Sequence, residues 1–146
     1  GQAFYKVQAW RVTIEQAIYE ALTENAGVTA LVGTRVYPVI MPQAATLPLV
    51  VYTLISGQQE ESHSGASGLA RPRYQFDCYA ETITAAFALG ETVRIALHGF
   101  SGTLGGSGGV TCGGILFAGK RVMYEPETKV HRVSIDYFIW HEEATS

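Results

Sequence analysis

Leu47-Pro-Leu-Val-Val-Tyr-Thr-Leu-Ile-Ser56 and Arg73-Tyr-Gln-Phe-Asp-Cys-Tyr79 decide the fold. The first stretch is apolar at both parities, as a central strand covered on both faces must be. The second alternates: Tyr74, Phe76 and Cys78 face one way, and Arg73, Gln75, Asp77 and Tyr79 the other. Between them runs Gly57–Pro72, which offers almost nothing to a core. Loops longer than about 12–15 residues are uncommon in compact domains and are usually functional or disordered. Residues 57–72 therefore read as a long polar arm joining two strands, and the arm points to contact and assembly.

On either side of this unit the apolar spacing turns helical. Thr13-Ile-Glu-Gln16 forms a capping box. Ile14, Ala17, Ile18, Ala21 and Leu22 then share one face of about three turns, ended by Asn25 and Gly27. Val28–Gly33 reads as a short helical turn closed by glycine. Arg35–Pro42 carries two prolines and fits only an extended edge segment. Thr82 caps a second long helix with a predicted buried stripe of Ile83, Ala86, Phe87, Gly90, Val93 and Leu97. Gly90 in mid-helix costs about 1 kcal/mol relative to alanine, so close packing on the sheet is expected there. Phe4–Trp10 has some alternation but no cap and is left unplaced.

Residues 99–114 are rich in glycine and serine and read as a loop. Two long strands follow, Ile115–Tyr124 and Lys129–Glu142, joined through Glu125-Pro-Glu-Thr128. In the last strand Val133, Ile135, Tyr137 and Ile139 face one side, and Arg132, Ser134, Asp136, Phe138 and Trp140 the other. The order helix, strands, helix, strands predicts an α+β fold. Its sheet is mostly antiparallel, with about four to five strands, two main helices packed on one face, and the hairpin arm. At 146 residues the chain is expected to be a single domain, 1–146.

Composition narrows the function. Net charge is −3, from ten basic and thirteen acidic residues, which gives no basic stripe for nucleic acid or an anionic membrane. The longest apolar run is far short of the roughly 20 residues of a membrane span, and no apolar h-region follows Lys6 and Arg11. Cys78 and Cys112 form no motif and fit a reducing compartment. Charged residues are only 16% of the chain, which suggests that part of its surface is covered by something else, although a glycine-rich protein with polar loops is an equally good account.

Chemistry is hard to find. Gly105-Gly-Ser-Gly-Gly109 lacks the preceding strand, the following helix and the lysine of a phosphate loop. His63, His98, His131 and His141 have neither metal-ligand spacing nor matching cysteines. Asp77 and Asp136 are better read as partners of an arginine on a neighbouring strand than as general bases. No catalytic, cofactor-binding or metal-binding residue is assigned. The more telling residues are aromatics and arginines on a sheet face away from the helices, together with charged residues of the arm. Glu60, Glu61, His63, Arg71, Arg73, Arg132, Phe138 and Trp140 are the candidate protein-interface residues. A second layer from the N-terminal segment or the glycine-rich loop is an equally good account of that face.

Ile14-Glu-Gln-Ala-Ile-Tyr-Glu-Ala-Leu22, Val28-Thr-Ala-Leu-Val-Gly-Thr-Arg-Val-Tyr-Pro38 and Leu47–Tyr52 resemble the tail-completion family of long-tailed bacteriophages. Gln75–Tyr79, the helix through Ala96-Leu97, and His131–His141 agree with it. The resemblance implies a tail terminator without a cofactor. Such a virion protein forms a homo-oligomeric, hexameric ring at the head-proximal end of the tail, after assembly in the host cytoplasm. Its implied partners are the major tail tube protein and the head connector or neck protein, with DNA passing through the lumen without specific binding. A head-side connector, or an α+β domain that binds a small ligand or acts as an enzyme, are the alternatives.

Overall fold

The computed structural model describes residues 13–56, 69–98, 102–104 and 110–142. Three helices and seven strands appear there: α1 (Ile14–Thr23), α2 (Ala26–Val32), β1 (Val36–Pro38), β2 (Leu49–Ser56), β3 (Leu69–Ala70), β4 (Arg73–Ala80), α3 (Ile83–Leu97), β5 (Gly102–Leu104), β6 (Val110–Glu125) and β7 (Val130–Glu142). The strands form one sheet in the order β1-β2-β4-β7-β6-β5, with β3 pairing the end of β7. Only β1–β2 is parallel. The expected α+β fold with a mostly antiparallel sheet holds, and the sheet is larger than the four to five strands expected.

Local chemistry sets the helix starts. Thr13 Oγ1 accepts from the Gln16 amide, Asn25 Oδ1 from Val28, and Thr82 Oγ1 from Ala85. Asn25 therefore opens α2 as well as closing the turn after α1, so the Val28–Gly33 turn is a full helix from Ala26. The Gly33 N–H bonds back to Thr29, and Gly33 sits at φ 60°, a conformation that glycine adopts without a Cβ clash.

The helices cover one face of the sheet. Ala17, Ile18, Leu22, Val28 and Val32 meet Val50, Tyr52, Phe76, Val133, Ile135 and Tyr137 in one core. The Tyr52 hydroxyl donates to the Glu15 carbonyl, and the Tyr74 hydroxyl to the Glu15 carboxylate, which pins the start of α1 to the sheet. On α3 the buried set is Ala86, Leu89, Gly90, Val93 and Leu97. Phe87, expected inside, is 43% exposed with the Lys120 ammonium over its ring, because the part of β6 beside it lies beyond the helix cover. A Cβ on Gly90 would lie 3.0 Å from Val133 Cγ1, so the expected close approach of α3 to the sheet is present.

Two further expectations change. The glycine-rich stretch is partly strand: Gly102–Leu104 pairs with Val110–Cys112 as a hairpin. β2 is buried only in its first half and exposed from Leu54 onward, so it is central at one end alone. The arm's residues 57–68 and Phe4–Trp10 lie outside the described residues. The last part of the arm belongs to the sheet, since Leu69 and Ala70 pair with Glu142 and His141 and the Pro72 carbonyl accepts from Ile139.

Candidate functional site

The face away from the helices carries the side chains that the strand parity places there. Opposite pairs Arg73–Phe138, Gln75–Asp136 and Tyr79–Arg132 align β4 with β7, and Trp140–Gly114 and Phe138–Leu116 align β7 with β6. Asp136 is the anchor. It is 3% exposed and meets Arg73 Nη2 at 2.9 Å and Arg121 Nη2 at 3.5 Å. The expected arginine partner of this aspartate thus comes from both neighbouring strands. Asp77 differs: its carboxylate oxygens accept from Gln75 Nε2, two residues away on the same strand, at 3.1 and 2.9 Å.

Arg73, held by Asp136, has its guanidinium 5.5 Å from the Phe138 ring centre. Arg71 lies 4.9 Å from the Phe138 ring and 5.3 Å from that of Trp140. Cation–π contacts at part-exposed sites contribute about 0.5–1 kcal/mol each and fix the rings in orientation. Four of the expected interface residues, Arg71, Arg73, Phe138 and Trp140, therefore form one half-buried stack. Arg132 stands apart from it, donating to the Tyr79 hydroxyl at 3.2 Å and lying 3.0 Å from Met123 Sδ. Burial raises the Tyr79 phenol pKa above its ordinary value, against the pull of Arg132. Glu60, Glu61 and His63 lie outside the described residues.

Beside the stack lies a hollow of about 530 Å³, lined by Thr111, Gly113, Gly114, Leu116, Trp140 and the His141–Glu142 end of β7. Gly113 and Gly114 create it: a Cβ on Gly114 would have nothing within 4 Å. Composition hid this hollow, because two glycines in a glycine-rich run look like linker. The signal was Gly-Gly directly before Ile115, where a strand already begins.

Among the described residues, polar groups do not converge here as they would in a small-molecule site. Among the described residues no three His, Cys, Asp or Glu side chains are grouped to hold a metal, and no helix is long and apolar enough to cross a membrane. Burial pushes the Cys78 thiol pKa far up, so the thiol stays protonated. What the cluster presents is rigid aromatic surface, delocalised cations and an apolar recess, the chemistry of protein contacts.

A family model described as tail completion protein gp17 matches residues 16–142. Among solved structures, a chain of the virion of a native gene transfer agent particle is 22% identical with a TM-score of 0.67, over 87% of this chain and 93% of that one. At this identity the likeness is one of fold. No curated protein matches the sequence.

Proposed function

The chain belongs to the tail completion protein gp17 family, and from that premise we propose that it is a structural virion protein that rings the end of a tail tube. Identical copies close around a lumen, stop the tube's growth and form the joint with the head connector. The family match over residues 16–142 carries this reading. The solved chain of similar fold comes from a virion particle, which accords with an assembly role. The stack of Arg71, Arg73, Phe138 and Trp140 with its recess is the surface that meets the tube or the connector, and the chain supplies contact, not catalysis.

Electron microscopy of the purified protein, alone and mixed with tail tubes of its own particle, tests the proposal. Rings and capped tubes are expected. Phe138→Ala with Trp140→Ala should remove capping while the circular dichroism spectrum keeps its native form. Solitary particles that ignore the tubes would overturn the reading.

A further inference from the structure

Eleven large apolar side chains are exposed among the described residues, and eight of them sit at the two ends of the sheet. Leu116, Phe117, Val122 and Tyr124 lie on β6, between 48% and 54% exposed. Val39 and Ile40 follow β1, and Leu54 and Ile55 lie near the end of β2, between 46% and 71% exposed. Scattered apolar residues on a surface are ordinary, but a concentration at sheet edges is not.

Both ends also have open backbone. β5 covers β6 only at Val110–Cys112, so residues 113–125 have no strand on that edge among the described residues. A bulge between Phe117 and Gly119 interrupts the edge, leaving Gly119–Glu125 as its regular run. β1 covers β2 only at Val50–Tyr52, so Thr53–Ser56 have no strand on that edge among the described residues. Unpaired N–H and C=O groups flanked by apolar side chains are a template for another strand. Val39 adds a mark of function: a β-branched residue at φ 68° is a backbone outlier, held there by a bond from its N–H to the Tyr52 carbonyl.

We propose that the β1–β2 end of one copy docks on the open β6 edge of the next, so that one sheet continues from subunit to subunit. The inference rests on the ring reading above and names the surface that builds the ring. The two ends are different surfaces, so their contact is heterologous and repeats around a closed ring. Strand addition supplies backbone hydrogen bonds, and the apolar flanks supply burial. Self-pairing of β6 is the poorer solution. It would bring Lys120 and Arg121 of both copies together, and like charges across strands are destabilising. It would also stop at two copies with Val39, Ile40, Leu54 and Ile55 still in water. Thr53–Ser56 carry no charge, so they meet Lys120 and Arg121 without repulsion.

The test uses two variants of the full chain, each with one added surface cysteine, Val122→Cys on β6 and Ile55→Cys on β2, with a short bismaleimide. The native Cys78 and Cys112 are buried. Tyr124→Cys replaces Val122→Cys if that variant does not fold. Cross-linked dimers are expected in the mixture, with neither variant linking to itself, both in solution and on capped tubes. Val122→Lys should weaken self-association at least about tenfold by placing an unpaired charge in the contact. Linking within Val122→Cys alone would show self-pairing and overturn the proposal. No linking in the mixture, while the wild type still forms rings, would overturn edge docking and leave the ring standing. Absence of any ring in the wild type, alone or on tubes, would remove both.

Discussion

Tyr137 and Tyr74 share one face of the sheet, with opposite consequences. Tyr137 is fully buried, and its hydroxyl has no hydrogen-bond partner among the described residues. A buried donor without a partner costs about 1–3 kcal/mol. Tyr137→Phe should therefore be neutral or stabilise by up to about 1 kcal/mol in chemical denaturation. Tyr74→Phe should destabilise by about 2 kcal/mol, since it removes a bond to the Glu15 carboxylate. The same phenols set an alkaline limit. Burial pushes Tyr137 and Tyr52 from 10.0 to about 12, and burial with Glu15 pushes Tyr74 higher still. Each folded-state value is raised, so the native state holds these protons more tightly than the unfolded chain. Stability should be unaffected by them below pH 10 and fall from pH 10 to 12, read as a drop in Tm. A curve that stays flat to pH 12 would contradict that assignment. Asp136 is the third case. Asp136→Asn removes the charge that holds Arg73 and Arg121, but both arginines are partly exposed and can hydrate. The expected loss is about 2 kcal/mol, below the 3–5 kcal/mol range for breaking a fully buried pair.

At the scale of elements, the contact between α3 and β7 sets how closely helix and sheet approach. Alanine at position 90 gains about 1 kcal/mol in helix propensity. Its Cβ would come within 3.0 Å of Val133 Cγ1, on a buried, β-branched side chain with little freedom to move. Overpacking costs about 1–3 kcal/mol, so Gly90→Ala should destabilise by about 1 kcal/mol net. Val133→Ala makes room, and the double variant should be more stable than the two single losses predict, with a coupling of about 1 kcal/mol. Additive losses would mean that the helix simply shifts. This contact was legible in the sequence because a mid-helix glycine gives up helix propensity, and a close neighbour compensates for that loss. The caps at Thr13 and Thr82 were legible because capping needs only residues three apart. Phe87 was misread for the converse reason. Its spacing on the helix is right for burial, but the sheet decides which part of that stripe it covers, and that depends on a distant strand. β5 and the first residues of β6, Val110–Gly114, were hidden similarly: glycine is disfavoured in strands, and only pairing across the hairpin and with β7 makes those residues extended.

At the scale of the whole molecule, the stack of Arg71, Arg73, Phe138 and Trp140 was half legible. Period-two alternation fixes which β7 residues share a face, and aromatics beside arginine mark that face as more than solvent cover. Which arginines join the stack depended on register, so Arg132, on the same face, is three rows away beside Tyr79. The pattern of guanidinium contacts has a further consequence for DNA. Arg73 and Arg121 are tied to Asp136, Arg94 to Glu91, Arg132 to Tyr79 and Met123, and Arg35 to the Pro48 carbonyl. Arg71 is stacked on Phe138 and Trp140. Four of these cations, Arg71, Arg73, Arg121 and Arg132, share the sheet face away from the helices, but each is engaged within the protein, and the net charge is −3. Each phosphate neutralised releases counterions, and a chain that neutralises few gains little affinity and has a shallow salt dependence. In the proposed ring, copies would multiply the chain's net negative charge, so DNA should slide through without sticking. Fluorescence anisotropy with a duplex of mixed sequence at about 0.15 M salt should give a Kd at or above the weak limit of non-specific binding, about 10⁻⁴ M. Rings and single chains should behave alike. Micromolar binding that collapses steeply with added salt would require a basic track on the assembled lumen, and the passive channel would then have to be abandoned in favour of a DNA-gripping joint.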